Sequence, residues 1–177
     1  MITSKYNWKN IEKEPDNGFF ELTKKEKLTE LASQILYSRG VDTAEKLTQF
    51  LSTDLSQLHD PYLLHDMDKA VNRIRQAIEN YEQILVYGDY DADGMTSASI
   101  MKEALEMLGA EAQVYLPNRF TDGYGPNESV YKYFIEQQNV SLIITVDNGV
   151  AGHEAIAYAQ SQGVDVIVTD HHGLPAE

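Results

Sequence analysis

The chain has 177 residues, of which 42% are hydrophobic and 24% are charged, and it contains no cysteine. This length suits one α/β core with some additional structure, and the composition is that of an ordinary soluble globular protein. No apolar run approaches the roughly 20 residues that span a bilayer, and the start Met1–Trp8 lacks the apolar core of a secretory signal. Without cysteine, disulfides and thiolate metal sites are excluded, and we expect a cytoplasmic protein.

The formal net charge of the chain is −14 at pH 7. This charge disfavours a polyanionic partner such as nucleic acid, because binding to phosphates depends on neutralising them with basic groups. Two arrangements would reverse that conclusion. Either divalent cations neutralise a concentrated set of acidic residues, or the basic surface lies in sequence outside this chain.

The start of the chain shows one helical pattern after an irregular segment. Residues 1–22 have no clean periodicity, and Glu14–Gly18 is typical of a loop. The spacing of apolar residues then predicts a helix over 24–39, with Thr23 as its N-cap and Gly40 as its stop.

Two further helices are predicted before the pattern changes. The first starts at Thr43 and runs to about Leu51. The second is a continuous apolar stripe over Met67–Tyr81, with Asp66 placed to cap it. Residues 1–80 are therefore expected to form a mostly helical lead-in.

After Tyr81 the sequence changes to short β-rich runs that alternate with amphipathic helices, which is the pattern of βαβ units around a parallel sheet. The runs are rich in β-branched or aliphatic residues and predict strands at 84–87, 113–116, 142–146 and 164–169. We therefore expect an α/β domain over 81–177, with a mainly parallel sheet flanked by helices.

Polar segments follow all of these predicted strands, at the edge of the sheet where ligands of open α/β folds bind. The segments are Gly88–Gly94, Pro117–Arg119, Asp147–Gly149 and Asp170–Gly173. They bring five aspartates and two histidines to one edge. These groups would repel one another strongly unless cations lay between them, so the sequence predicts a metal site.

Each segment also has a simpler interpretation when it is considered alone. Asp-x-Asp-x-Asp-Gly is typical of a calcium loop, but an EF-hand needs a glutamate at its twelfth position, which is Ile100 here. Asp89 or Asp93 could cap the following helix, and Asp147–Gly149 is a common turn. Capping alone does not explain three aspartates, and the adjacent His171 and His172 indicate ligands when carboxylates surround them.

The residue types also indicate the chemistry of such a site. Oxygen ligands with one or two imidazoles and no sulfur favour manganese or magnesium over structural zinc. Two such ions, roughly 3.5 to 4 Å apart, can activate water and neutralise charge on phosphoryl oxygens. The His-Glu-x-x-His signature common in zinc-dependent amide hydrolysis is absent. The pattern therefore indicates phosphoester hydrolysis.

Together, the four segments resemble the first three motifs of the DHH phosphoesterase superfamily, which is named for the triplet that stands here as Asp170-His171-His172. The likeness extends to its RecJ-type exonucleases through Gly88–Gly94, Pro117–Gly125, Thr145–Gly149 and Val168–His172. It covers about residues 55 to 175 strongly and the first 50 weakly. The resemblance implies a 5′ to 3′ exonuclease for single-stranded DNA that uses Mn²⁺ or Mg²⁺ in recombination and repair. A single-stranded DNA-binding protein and a helicase are the implied partners.

The family pattern also implies roles for individual residues. The implied catalytic residues are Asp91, Asp93, Asp147, His171 and His172. All of them except His172 would be metal ligands, with Asp147 as the bridge, whereas His172 would contact the scissile phosphate or a metal. Asp89 and Asp170 would orient their neighbours. The implied substrate-binding residues are Asn118, Arg119 and Tyr124. Arg119 would bind phosphate through its planar fork, and Tyr124 would either stack on a base or pack within its loop.

Two features depart from the family pattern. Many small DHH phosphodiesterases and pyrophosphatases have a metal-binding histidine four residues before the first aspartate of their Asp-x-Asp pair, where this chain has Tyr87. That difference favours a RecJ-type site. The chain also ends at Glu177, soon after the third motif. We therefore expect it to be an N-terminal fragment that lacks the fourth motif and is inactive alone.

Two other functions fit the same motifs. One is a DHH phosphodiesterase that acts on short oligonucleotides or cyclic dinucleotides. The other is a non-catalytic scaffold like the degenerate DHH relatives in replication complexes, which would be expected to have lost ligand aspartates. Every ligand expected in the first three motifs is present, which argues against the scaffold.

Overall fold

The computed structural model describes residues 14–174, so the prediction for Met1–Trp8 lies outside the described residues. The chain divides into two compact units that meet in sequence between Asp60 and Pro61. This boundary lies earlier than the one predicted after residue 80, because the intervening helix packs against the sheet of the second unit. The division into domains over 1–80 and 81–177 stays a prediction.

The first unit contains short helices that begin at good N-caps. They are α1 (Asn17–Lys25), α2 (Glu30–Ser38) and α3 (Ala44–Leu51), followed by a 3₁₀ turn at Leu55–Gln57. The side chains of Asp16, Thr29 and Thr43 each accept a hydrogen bond from a backbone N–H of the helix that follows. The helix predicted from Thr43 to about Leu51 is thus confirmed as α3. The loop predicted at Glu14–Gly18 is wrong at its end, because α1 begins at Asn17.

The single helix predicted over 24–39 is wrong. The chain forms α1 and α2 on either side of a turn in which Lys27 adopts a left-handed φ of 61°. Thr23 is therefore not an N-cap. It is buried in the last turns of α1, where its hydroxyl donates to the carbonyl of Phe19 at 3.1 Å and accepts from Ser33 at 2.7 Å.

The second unit alternates strands and helices. After a 3₁₀ turn at Pro61–Leu63, its elements are α4 (Met67–Glu79), β1 (Gln83–Tyr87), α5 (Ala92–Met107), β2 (Ala112–Tyr115), α6 (Glu128–Gln138), β3 (Val140–Val146), α7 (His153–Ser161) and β4 (Asp165–Thr169). Each predicted strand is confirmed, with bounds that differ by at most two residues. Asp66 does not cap α4 as predicted, since its carboxylate forms an ion pair with Lys69 instead. Between residues 14 and 174, no helix is long and apolar enough to cross a membrane.

The sheet is parallel throughout, with the strand order β2-β1-β3-β4. Side chains alternate between its faces. Ile84 and Val86 of β1 pack with α4 and α5, whereas Leu85 and Tyr87 pack with α6 and α7. Helices therefore cover both faces, and the expected α/β fold with a sheet flanked by helices is confirmed.

The direction of the chain across the sheet reverses between β1 and β3. From β1 the chain passes through α5 to β2 on one side, and it then returns through α6 to β3 on the other side. Such a reversal leaves a crevice beyond the carboxyl ends of the two neighbouring strands, where ligands of open α/β sheets bind. The residues that follow Tyr87 and Val146 flank this crevice.

An ion-pair cluster links α4 to the amino ends of the strands, at the edge of the sheet opposite to the crevice. The guanidinium of Arg73 donates to Glu82 at 2.6 Å, to Asp165, and to the carbonyl of Ser141 at 3.2 Å. The side chains of Arg73 and Glu82 are each 18% exposed, whereas that of Asp165 is 63% exposed.

We expect Glu82→Gln to lower the free energy of unfolding by about 2 kcal/mol, because it leaves a largely buried guanidinium short of its partner. Asp165→Asn should cost less than about 1 kcal/mol, because water already screens that pair. Urea unfolding of the two variants measures the difference. Equal losses would contradict the ranking by burial.

Candidate metal centre

The loops that follow β1, β3 and β4 meet at the carboxyl edge of the sheet. Among the described residues, two clusters of potential metal ligands form there, and Asp147 belongs to both. Within each cluster the ligand atoms lie within 4.8 Å of one another, and the clusters are Asp89, Asp91 and Asp147, and Asp147, His171 and His172. The other polar segment expected at this edge, Pro117–Arg119, contributes no residue to the ligand clusters found among residues 14–174. The site therefore sits at the crevice between β1 and β3.

Helix α5 begins directly against the loop after β1, which fixes the aspartates of that loop. The carboxylate of Asp91 accepts a hydrogen bond from the Gly94 N–H at 3.0 Å and so caps α5. A Cβ atom at Gly94 would lie 2.5 Å from the backbone nitrogen of Asp89, so only glycine allows this approach. The cap of α5 is therefore Asp91 and neither Asp89 nor Asp93, and Asp91 is also a member of the carboxylate cluster.

Asp93 lies in the first turn of α5 and is exposed. It belongs to neither cluster found among residues 14–174. Asp89, to which the family pattern gave a supporting role, stands in the cluster beside Asp91 and Asp147. The metal-ligand role of Asp93 stays a prediction.

The backbone around Asp147 places its side chain at the centre of the site. Asp147 has a left-handed φ of 62°, and its N–H donates to the carbonyl of Thr169 at 3.0 Å. Its side chain is 5% exposed, and its Oδ1 lies 2.8 Å from Nε2 of His171. The following Asn148 is fully buried and donates to the carbonyl of Tyr87 at 3.3 Å, which links the ends of β1 and β3.

Asp170 organises the turn that carries the two histidines. Its Oδ1 accepts from the N–H of His172 at 3.0 Å and lies 2.7 Å from Nδ1 of that ring, while its Oδ2 accepts from the N–H of Val150 at 3.0 Å. Burial raises the pKa of Asp170, but these hydrogen bonds outweigh burial, and the pKa is lowered. The hydrogen bond with Asp170 raises the pKa of His172. Asp170 thus fixes the orientation of the ring and favours its charged form.

Asp89 has the surroundings of a cation ligand. The residue is 2% exposed, and its Oδ1 is buried without a hydrogen-bond partner in the described structure. Burial raises its pKa, and the charges of Asp91 and Asp147 raise it further. A divalent cation would satisfy this oxygen and offset the repulsion between the carboxylates. Carboxylates with adjacent imidazoles match the ligands that Mn²⁺ and Mg²⁺ accept.

Asp122 holds the loop between β2 and α6 in a defined shape. Its carboxylate accepts from the hydroxyl of Tyr115 at 2.6 Å, the N–H of Asn118 at 2.7 Å and the hydroxyl of Thr121 at 2.8 Å. These hydrogen bonds lower the pKa of Asp122, and burial with the same contact raises the pKa of Tyr115 to about 12. Asp122 is not among the site residues predicted from the sequence, although Asn-x-x-x-Asp-Gly is a turn-forming pattern.

Tyr87, where some DHH proteins have a histidine, closes the same loop from inside. Its hydroxyl donates to the carbonyl of Gly125 at 2.9 Å. Its buried ring packs against those of Tyr115 and Tyr131, with centroids 5.5 and 5.4 Å away. This side chain therefore holds the loop and supplies no metal ligand.

The predicted substrate residues lie on this loop. Asn118 accepts the backbone N–H two residues later with its Oδ1, so its side-chain oxygen supports the turn. The guanidinium carbon of Arg119 lies 4.8 Å from the centroid of the Tyr90 ring. Tyr124 is 53% exposed, and its hydroxyl lies 3.2 Å from Nδ1 of His172. The loop thus reaches the histidines through Tyr124.

Two cavities flank the histidines. One has a volume of about 430 Å³ and lies beside Asp147 and His171 against the apolar side of α5. The other has a volume of about 260 Å³ and lies beside His172, Tyr124 and the turn at 149–152. A substrate held at the clusters would therefore have space on both sides.

We expect Asp122→Asn to loosen the loop, because the charged carboxylate is the stronger acceptor. The folded-state pKa of Asp122 is lowered, so its contribution is present above the ordinary value of 3.8 and is lost as pH falls through the lowered value. Hydrogen exchange of the Asn118 N–H measures this. Protection should be steady from pH 7 to about 5 and fall in stronger acid, whereas the variant should be poorly protected throughout. Wild-type protection that persists in strong acid would rule out this role.

A family model and curated relatives both match this chain. Residues 83–177 match the model of the DHH family, N-terminal domain. The single-stranded-DNA-specific exonuclease RecJ of Bacillus subtilis is 43% identical over 172 residues, which are 97% of this chain and 22% of that protein. RecJ of Escherichia coli is 38% identical over 151 residues, which are 85% of this chain and 25% of that protein. The chain therefore spans about a quarter or less of the length of these relatives.

Solved structures agree with this assignment. A crystal structure of exonuclease RecJ bound to manganese is similar with a TM-score of 0.60 and 33% identity, over 64% of this chain and 29% of that one. RecJ from Thermus thermophilus in complex with Mn²⁺ has a TM-score of 0.60 and 26% identity, over 90% of this chain and 22% of that one. The family model covers more than half of the sequence, including the loops after β1, β3 and β4. The chain therefore belongs to the DHH family and carries its N-terminal domain.

Proposed function

We propose that the protein is a 5′ to 3′ exonuclease specific for single-stranded DNA and that residues 83–177 contribute to its metal centre. Relatives named for this specificity align with 85% to 97% of the chain. The observation that carries the proposal is the pair of ligand clusters that share Asp147 at the crevice. Carboxylates this close together need cations, and paired cations suit displacement at phosphorus.

The residues that would hold Mn²⁺ or Mg²⁺ are Asp91, Asp93, Asp147 and His171. Oxygen ligands with an imidazole fit either ion, and related RecJ crystal structures contain manganese or magnesium. When bound, such ions lower the pKa of water and neutralise charge on phosphoryl oxygens. The unpartnered oxygen of Asp89 supports a cation between the carboxylates, so Asp89 would either bind it or orient Asp91.

The remaining residues would act on the DNA itself. His172 would contact the scissile phosphate, and Asp170 would hold its ring in the charged form that attracts an anion. Arg119 would bind a phosphate through its N–H groups. Tyr124 would stack on a base, and Asn118 would offer its amide N–H groups, since its oxygen supports the turn.

The acidic charge of the chain is compatible with this function. The carboxylates that would face the DNA are the same ones that cations would neutralise. In the cell, the enzyme would act in the cytoplasm during recombination and repair. A helicase would supply unwound strands, and a single-stranded DNA-binding protein would present them.

The test is hydrolysis of end-labelled DNA by the full-length natural protein with Mn²⁺. A strand labelled at its 5′ end should release labelled mononucleotide at once, whereas a strand labelled at its 3′ end should shorten progressively. Duplex DNA of the same sequence should be cleaved much more slowly. Release from the 3′ end, or equal cleavage of the duplex, would refute the proposal. Faster cleavage of dinucleotides or cyclic dinucleotides than of long strands would favour the phosphodiesterase alternative.

A further inference from the structure

Arg119 is held by an aromatic ring and forms no ion pair in the described part of the chain. Its guanidinium carbon lies 4.8 Å from the centroid of the Tyr90 ring, within the range of a cation–π interaction. No carboxylate among residues 14–174 forms a salt bridge with it, although the chain has a net charge of −14. The contact with Tyr90 therefore sets the position of this cation.

Tyr90 is well placed to act as a fixed support. It stands between Asp89, which is buried, and Asp91, which caps α5. Its ring also meets the ring of Tyr124 edge-on, with centroids 6.4 Å apart and planes at 75°. The support is thus built into the segment that carries the carboxylate cluster.

Arg119 approaches this support from a loop that is itself held. Asp122 accepts the N–H of Asn118, and the hydroxyl of Tyr87 donates to the carbonyl of Gly125. Both sides of the contact are therefore anchored to the sheet. These two hydrogen bonds therefore set the distance between the Arg119 guanidinium and the carboxylate cluster.

A ring beneath a guanidinium leaves the phosphate-binding atoms free. A guanidinium that contacts a ring by its flat face keeps its N–H donors in its own plane, where they point away from the ring. An ion pair with a carboxylate would occupy those donors instead. The contact with Tyr90 thus places Arg119 without a carboxylate that would compete with a phosphate.

We propose that Tyr90 is a positioning residue. It holds the guanidinium of Arg119 at the carboxyl edge of the sheet, where the guanidinium binds a phosphate of the DNA strand. This inference rests on the proposed function, because it assigns Arg119 a phosphate of that substrate. Tyr90 touches no substrate atom and acts through Arg119.

The kinetic test uses Tyr90→Leu, Tyr90→Phe and Arg119→Ala in the full-length natural protein. Tyr90→Leu keeps an apolar side chain but removes the π face, so KM for single-stranded DNA should rise about threefold to tenfold while kcat changes by less than about twofold. Tyr90→Phe keeps the ring, so its KM should equal that of the wild-type protein. In the Arg119→Ala background, Tyr90→Leu should change KM by less than about twofold, because the residue it positions is gone.

A spectroscopic test examines the contact without DNA. In NMR spectra of the 177-residue chain, the side-chain protons of Arg119 should be shifted upfield by the ring current of Tyr90. The shift should persist in Tyr90→Phe and disappear in Tyr90→Leu. Absence of the shift in the wild-type chain would overturn the proposal, as would an unchanged KM in an active Tyr90→Leu protein. A wild-type protein that degrades no single-stranded DNA would instead overturn the proposed function, and with it the substrate role of Tyr90.

Discussion

In the full-length natural protein, Asp147→Asn should reduce the affinity for Mn²⁺ by at least about 100-fold and abolish DNA hydrolysis while the fold stays intact. Asp147 is the residue shared by both ligand clusters, so loss of its charge weakens both at once. Substitution of a residue that only supports a metal ligand typically lowers the affinity for the metal by about 10- to 100-fold. Substitution of a ligand that belongs to both clusters should lower the affinity for Mn²⁺ by more than this.

Asparagine separates the charge of Asp147 from its backbone role. The residue has a φ of 62°, which asparagine tolerates and alanine does not, and the N–H bonded to Thr169 is kept. Asp68→Asn, at an exposed position in the first turn of α4, is the matched control for loss of one negative charge. Calorimetric titration with Mn²⁺ and circular dichroism measure affinity and fold. Wild-type affinity in a folded Asp147→Asn protein would remove Asp147 from the metal site.

The central strands β1 and β3 could be predicted because both of their faces are buried. Buried parallel strands are continuous apolar runs, and glycines or aspartates mark their ends. The break between α1 and α2 could not be predicted in the same way. Thr23 and Thr29 are both acceptable N-caps, and the left-handed turn at Lys27 has no local signal in the sequence. Tertiary packing selects Thr29 as the N-cap, because Thr23 is buried in contact with Ser33.

The location of the candidate site could be predicted, but the direction of its side chains could not. Parallel strands end at one edge, so the polar loops after β1, β3 and β4 had to meet there. Which aspartates converge depends on the rotation of α5, which leaves Asp93 exposed while Asp89 is buried beside Asp147. The roles of Tyr87 and Asp122 depend on contacts between distant strands and loops, which no short motif describes.

Gly94→Ala should be the most disruptive substitution of a residue that binds nothing itself. The first turn of α5 crosses the loop after β1 so closely that a Cβ at Gly94 would lie 2.5 to 2.6 Å from three atoms of Asp89. Two of these are backbone atoms, so no rotamer change relieves the clash. The helix must move away from the loop, and its cap Asp91 must move with it.

We expect Gly94→Ala to lower the free energy of unfolding by about 3 kcal/mol, because overpacking a close backbone contact forces the backbone to shift. Gly163→Ala is the matched control, since its φ of 77° is strained for alanine but no atom lies within 4 Å of the added carbon. It should cost only the conformational strain of about 1 to 2 kcal/mol and leave Mn²⁺ affinity unchanged. Urea unfolding and Mn²⁺ titration of both variants compare the effects. If Gly94→Ala costs no more than Gly163→Ala and binds Mn²⁺ normally, the close approach of α5 does not organise the site.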